Sequence, residues 1–165
     1  MVQIMGDKMR HLGLTAAVLC AVAGLTATTA DAGGAVTTSL FLSLSGAVFS
    51  PGDPCLPNGD IVGISGKVHV VSIVPPDPIT PIRLHFNLAD VMGTGQTSGN
   101  TYIGTGAQNF EFQQVPPDPI APVDFTLQHT DGCRDTVLPV SFTLNFDESG
   151  HLVGGSASLQ TGGGG

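Results

Sequence analysis

There is no tryptophan in this chain and only one tyrosine, Tyr102. Sugar-binding sites stack their ligands on flat aromatic faces, so a carbohydrate module has almost nothing to build with here. Basic residues are as scarce: 5 Lys and Arg stand against 13 Asp and Glu, a formal charge of −8. Such a charge repels polyphosphate, which excludes nucleic acid as a partner and argues against anionic membrane surfaces. No apolar run reaches the roughly 20 residues that cross a bilayer as a helix. Catalytic signatures are missing too. There is no GxSxG turn to expose a nucleophilic serine, and no HExxH to set two metal ligands on one helix face. Gly93–Gly106 (GTGQTSGNTYIGTG) is rich in glycine, but no lysine follows and no helix opens after it, so it is not a phosphate cradle. It is expected to be a flexible hairpin loop running into the next strand. These absences point to a non-catalytic protein without a cofactor.

What is present begins with a targeting segment. Lys8, Arg10 and His11 form a basic head, Leu12–Leu25 is uncharged, and Ala30-Asp31-Ala32 fits a small-residue cleavage site. Residues 1–32 are therefore expected to be a signal peptide cut after Ala32. Its removal takes away Lys8 and Arg10 against Asp7 and Asp31, so the charge stays at −8. Residues 33–161 then suit one domain, secreted to the medium or the periplasm, followed by a disordered Gly162–Gly165 tail. Cys20 leaves with the leader; Cys55 and Cys133 remain. In an oxidising compartment that pair is expected to form one disulfide, closing a loop of roughly 80 residues and stabilising the fold by up to ~4 kcal/mol.

The remainder alternates apolar and polar with period two, the pattern of strands with one buried face. Val36, Thr38, Leu40, Leu42, Leu44 and Val48 form one row. Val62, Ile64, Val68, Val70 and Val74 form a second; Ile82, Leu84, Phe86 and Leu88 a third. Further rows are Phe110–Phe112, Val123–Phe125–Leu127–His129, Leu138–Phe146, and Val153 with Ala157 and Leu159. The fold class is all-β: an antiparallel up-and-down meander of about seven to eight strands, barrel-like or folded as a sandwich. Pro139 sits inside a strand and cannot donate to a ladder, so that strand is expected at an edge or at a bulge.

One repeat is internal. VPPDPITPI (Val74–Ile82) returns as VPPDPIAPV (Val115–Val123), 41 residues later. Proline fixes φ and removes donors, so these blocks are expected to be stiff hairpin loops at one end of the meander. Proline-reading domains would be the functional alternative.

The run Asp53–Leu159 resembles a family of small, uncharacterised secreted bacterial β-domain proteins. The resemblance lies in DPC (Asp53–Cys55), GKVHVV (Gly66–Val71), IRLHFNLADVMGTGQTSGNTYIGTG (Ile82–Gly106) and SFTLNFDESGHLVG (Ser141–Gly154). It implies a secreted β domain and no known activity, so it transfers no functional residue.

Three groups of side chains remain as candidates for chemistry. If the first proline loop centres on Asp77, His69 and His85 face each other across adjacent strands and offer two imidazoles to Zn or Cu. Asp53 and Asp60 flank Cys55, and Asp131 and Asp135 flank Cys133; a disulfide would draw four carboxylates together, a donor set suited to Ca²⁺. Turns also use Asp for local backbone bonds. His129, on an apolar row, is expected to be a core histidine with a partner rather than a general base. Two function classes follow. One is a structural or cell-surface interaction module without catalysis. The other is a β-barrel holding a small apolar ligand against Leu42, Val70, Leu84, Phe110, Phe125 and Phe142. A filled interior favours the first and an enclosed cavity the second.

Overall fold

The computed structural model describes residues 34–52, 56–114, 116 and 120–160. The expected leader 1–32 with its cleavage site, the Gly162–Gly165 tail, Asp53 and Cys55 lie outside these residues. Eight strands follow in chain order: β1 (Val36–Ser50), β2 (Asp60–Val74), β3 (Ile82–Gly95), β4 (Thr101–Thr105), β5 (Ala107–Phe112), β6 (Ile120–His129), β7 (Thr136–Phe146) and β8 (Leu152–Leu159). All pair antiparallel in one sheet of order β1-β2-β3-β4-β6-β7-β8, with β5 beside β3. No described residue is helical, and among the described residues no helix is long and apolar enough to cross a membrane. The architecture is the expected all-β meander, curled into a nearly closed barrel: β8 comes back to lie against β1. A Cβ on Gly46 of β1 would stand only 3.0 Å from Leu159 Cδ1 of β8.

The closure has a direction. β4 and β5 are two halves of one strand, broken at Gly106, and both run along β3. The meander therefore makes seven passes, and its first and last passes run the same way. An odd number of passes can close only by a parallel seam, and β1 and β8 touch without a described ladder between them. β8 also stops halfway along. Beyond it, β1 meets β7 through a hydroxyl pair, Ser50 Oγ and Thr136 Oγ1, 2.8 Å apart and buried.

The alternating rows form the core. Leu40, Leu42, Leu44, Val62, Val68, Val70, Leu84, Phe86, Leu127, Leu138, Val140 and Phe142 are buried on the inner face. Phe86 and Phe142 meet at the centre with ring centroids 4.4 Å apart. One row changes phase partway. Opposite Ser65–Lys67, β3 carries an extra residue, a bulge at Asp90–Val91. Asp90 takes φ 54°, in the left-handed region. Before the bulge β3 turns even residues inward, and after it odd ones: Val91, Gly93 and Gly95. Such an extra residue flips every later side chain to the other face.

The loop expected at Gly93–Gly106 is shorter than its glycines suggest, and it does run into the next strand. β3 runs to Gly95 and β4 begins at Thr101, so only residues 96–100 turn. The glycines serve packing, not flexibility. A Cβ on Gly93 would lie 2.7 Å from Val62 Cγ1, and one on Gly104 2.6 Å from Val91 Cγ1. The bareness of Gly93 leaves room for Tyr102, the largest fully buried side chain, and that of Gly104 for Val91.

Of the two placements expected for Pro139, the edge fails, while the β6–β7 ladder is irregular beside it, between Ile120 and Val123. β7 has ladder partners on both sides, in β6 and β8, so it is not an edge strand. The Pro139 carbonyl accepts from Gln160 N just past the last residue of β8. A strand residue aims its N and its C=O to the same side. The missing donor of Pro139 thus faces Gln160, just past the end of β8, so only the reciprocal bond at the ladder's end is forgone. Pro122 is accommodated by the β6 irregularity between Ile120 and Val123.

Candidate functional site

The barrel has two ends. One carries the turns 51–59, 96–100 and 130–135, and the other carries 75–81, 113–119 and 147–151. Both proline blocks fall at the second end, since Ile82 pairs with Phe112. In the first block Asp77 Oδ1 accepts from Ile79 N (3.1 Å) and Thr80 N (2.8 Å). These donors, Thr80 foremost, hold the Asp77 carboxyl below its ordinary pKa. The two copies diverge where it matters for packing. Ile79 is 83 % exposed, whereas its repeat equivalent Ile120 is 3 % exposed and opens the core row of β6.

The histidine pair does not form as expected. The loop centres on Pro78, one residue later than assumed, so His69 faces Asn87 and His85 faces Val71. The two imidazoles also lean apart. His69 stacks on Phe41 of β1, with centroids 4.5 Å apart and planes 16° from parallel. His85 Nδ1 meets Asn109 Oδ1 of β5 at 2.7 Å. An open hollow of about 220 Å³ lies on the outer wall beside His85, between Arg83, Asn109 and Glu111. Arg83 Nε donates to Glu111 Oε1 at 3.1 Å across it, an exposed pair of small energetic weight.

The four carboxylates are not equivalent. Asp60 is buried, 3 % exposed, at the start of β2. Oδ1 accepts from Ile61 N (2.8 Å) and Thr97 N (3.0 Å), and Oδ2 from Ser98 N (3.1 Å) and Ser98 Oγ (2.6 Å). These bonds, the Ser98 hydroxyl foremost, hold its pKa down at about 2 against a desolvation that pushes it up. The Asp60 oxygens are thus spent on the 96–100 turn. Asp131 and Asp135 are exposed in the 130–135 turn, and Asp53 lies outside the described residues. Among the described residues no three His, Cys, Asp or Glu gather as a metal site would need. Cys133 is half-buried in the 130–135 turn; its expected partner, Cys55, lies outside the described residues.

His129 is a core histidine with a partner: its Nδ1 accepts from Asp131 N at 3.1 Å, and its ring meets Tyr102 edge-on at 4.7 Å. Since Nδ1 accepts, the proton sits on Nε2, which is buried without a hydrogen-bond partner. Among the described residues two further buried groups share that condition, Thr38 Oγ1 and Ser72 Oγ. They are direct partners across β1 and β2, both on the inner face. Their row continues through Leu84 of β3 to Phe110 of β5. Sequence reasoning placed Thr38 inward and passed over Ser72. The usable signal was parity: Ser72 holds an inward position between Val70 and Val74.

The side chains expected to line a ligand pocket are packed instead. Leu42, Val70, Leu84, Phe125 and Phe142 are buried in the core, and Phe110 is half-buried against them, edge-on to Phe86 at 5.7 Å. No protein-family model, curated protein or solved structure matches this chain.

Proposed function

We propose that this chain is a secreted, non-catalytic β domain that acts as a structural or interaction module at the cell surface. The observation that carries this reading is the interior, where the two central rings and the aliphatic rows pack against one another. Cores packed in this way keep shape and offer their outsides to partners. Phe49 (63 % exposed) and Ile61 pair on the outer face of β1 and β2, and Val137 (59 % exposed) lies near them on β7. An open hollow of about 240 Å³ lies between Phe49 and Val137, with Arg134 and Asp135 on its rim. Export by a leader cut after Ala32, a Cys55–Cys133 disulfide and kinship with the secreted bacterial family named above belong to the same reading.

The test is native mass spectrometry of the protein recovered from its own host, with N-terminal sequencing. The expected result is a chain beginning at Gly33, two mass units below its reduced mass, alone or bound to protein. A tightly bound metal ion, or retention of residues 1–32 in the membrane fraction, would overturn it. A second reading, a barrel holding a small apolar ligand, is favoured by one observation: the buried, unpartnered hydroxyls of Thr38 and Ser72.

A further inference from the structure

We propose that the Thr38 and Ser72 hydroxyls seat the polar head of a small, uncharged, mostly apolar molecule that enters between β5 and β6. The proposal rests on the second reading above. A buried hydroxyl without a partner is costly, so two of them side by side mark a place built for a third polar atom. Ser72 is fully buried, and Thr38 is 9 % exposed. Both belong to an inner row that is polar at one end and apolar at the other: Thr38, Ser72, Leu84, Phe110. The next row toward the barrel end is wholly apolar, with Val36 opposite Val74 and Ile82 opposite Phe112. Its members are half-buried.

The wall opens beside this row. β6 pairs with β4 from Thr126 to His129 and with β7 along its length, while β5 pairs with β3 alone. Among the described residues, β5 and β6 are bridged by one long contact, Gln108 Nε2 to Asp124 O at 3.4 Å. Phe110 and Phe112, half-buried, lie along that gap. From β5 at the gap it is two strand spacings, about 10 Å along the wall, to Ser72, and one more to Thr38. This is the length of a single ring or a short chain bearing one alcohol or carbonyl oxygen. No basic side chain joins the row, so a carboxylate would be buried unpaired, which selects uncharged heads.

Benzyl alcohol and toluene differ by one hydroxyl and serve as the probe pair. Dissociation constants by NMR titration would be compared for the protein and for the double variant Thr38→Val with Ser72→Ala. The expected result is that the variant weakens benzyl alcohol about tenfold and leaves toluene unchanged. If both probes bind and their ratio does not move, the hydroxyl seat is wrong while the ligand barrel stands. If neither binds at millimolar concentration, both fall, and the hydroxyls are served by an ordered water only. Should the double variant not fold, Ser72→Ala alone is expected to shift the ratio about threefold in the same direction.

Discussion

At the scale of single residues, energy follows facing. Phe142 is fully buried against Phe86, while Ser141 looks to the outer face. Phe142→Ala is expected to cost about 3–5 kcal/mol in chemical denaturation, because a ring is removed and the cavity relaxes only in part. Ser141→Ala should stay within about 0.5 kcal/mol. Equal effects would overturn the facing. Asp60 gives a pH signature. Its carboxyl is held at about 2 in the fold, against an ordinary value of 3.8. A lowered pKa stabilises the fold above the ordinary value, and the contribution fades as pH falls from about 4 toward 2. Asp60→Asn puts an amide where four donors converge. It should lower the melting temperature at pH 7 and flatten the loss between pH 4 and 2. Asp77 and Asp147, also lowered by backbone donors, keep a residual slope in the variant. An unchanged acid profile would remove Asp60 from this role. The rows of buried residues were legible in the sequence, since Phe142 sits in its cleanest alternation. The role of Asp60 was not, because its donors lie 37 and 38 residues away in sequence.

At the scale of elements, the strands were legible and the places where they change phase were not. Alternation from Ile82 to Leu88 predicts the first half of β3 correctly. The bulge then moves the inward set to Val91, Gly93 and Gly95, two of them glycines, which carry no hydropathy signal. A phase change followed by bare residues looks like a loop when read along the chain. The His69–His85 pairing failed by a similar margin: a loop centred one residue later turns a facing pair into a diagonal one. The bulge makes its own prediction. Gly66 takes φ 150°, and a Cβ there would sit 2.5 Å from Val91 Cα. Gly66→Ala therefore has to displace backbone, and is expected to destabilise by about 1–3 kcal/mol. Gly63 lies three residues earlier on β2, where a Cβ would meet nothing closer than 3.8 Å, from Thr94 O. Gly63→Ala should be neutral or stabilising by about 0.5 kcal/mol, since alanine has less backbone freedom to lose in a strand. A tolerated Gly66→Ala would mean that the bulge rearranges freely.

At the scale of the whole molecule, the seam decides how the barrel holds together. Seven passes bring β1 and β8 together in parallel without a described ladder, and β8 stops before the end. The other neighbouring passes share antiparallel hydrogen bonds, save where β5 leaves β6, so the β1 side joins the β5–β6 gap as a place where opening costs least. Three features gather where β8 is too short to help. The Ser50–Thr136 hydroxyl bond joins β1 to β7. The turn after β1 carries Cys55, and the turn before β7 carries Cys133. The proposed Cys55–Cys133 bond would staple the same two strands. Its stabilisation is at most ~4 kcal/mol for a loop of roughly 80 residues, less any strain. That entropic effect acts on the unfolded chain and would lower the melting temperature on reduction wherever the bond lay. The seam adds a local expectation that entropy alone does not. Hydrogen exchange after reduction should rise first in β1 from Gly46 to Ser50 and in β7 from Thr136 to Leu138. The β2–β3 hairpin, paired along almost its whole length, should keep its protection. Ser50→Ala in the reduced protein should widen the same region, because it removes the last described bond across the seam end. Uniform acceleration over all strands would show that the staple acts on the unfolded state alone, and that the barrel opens as one unit.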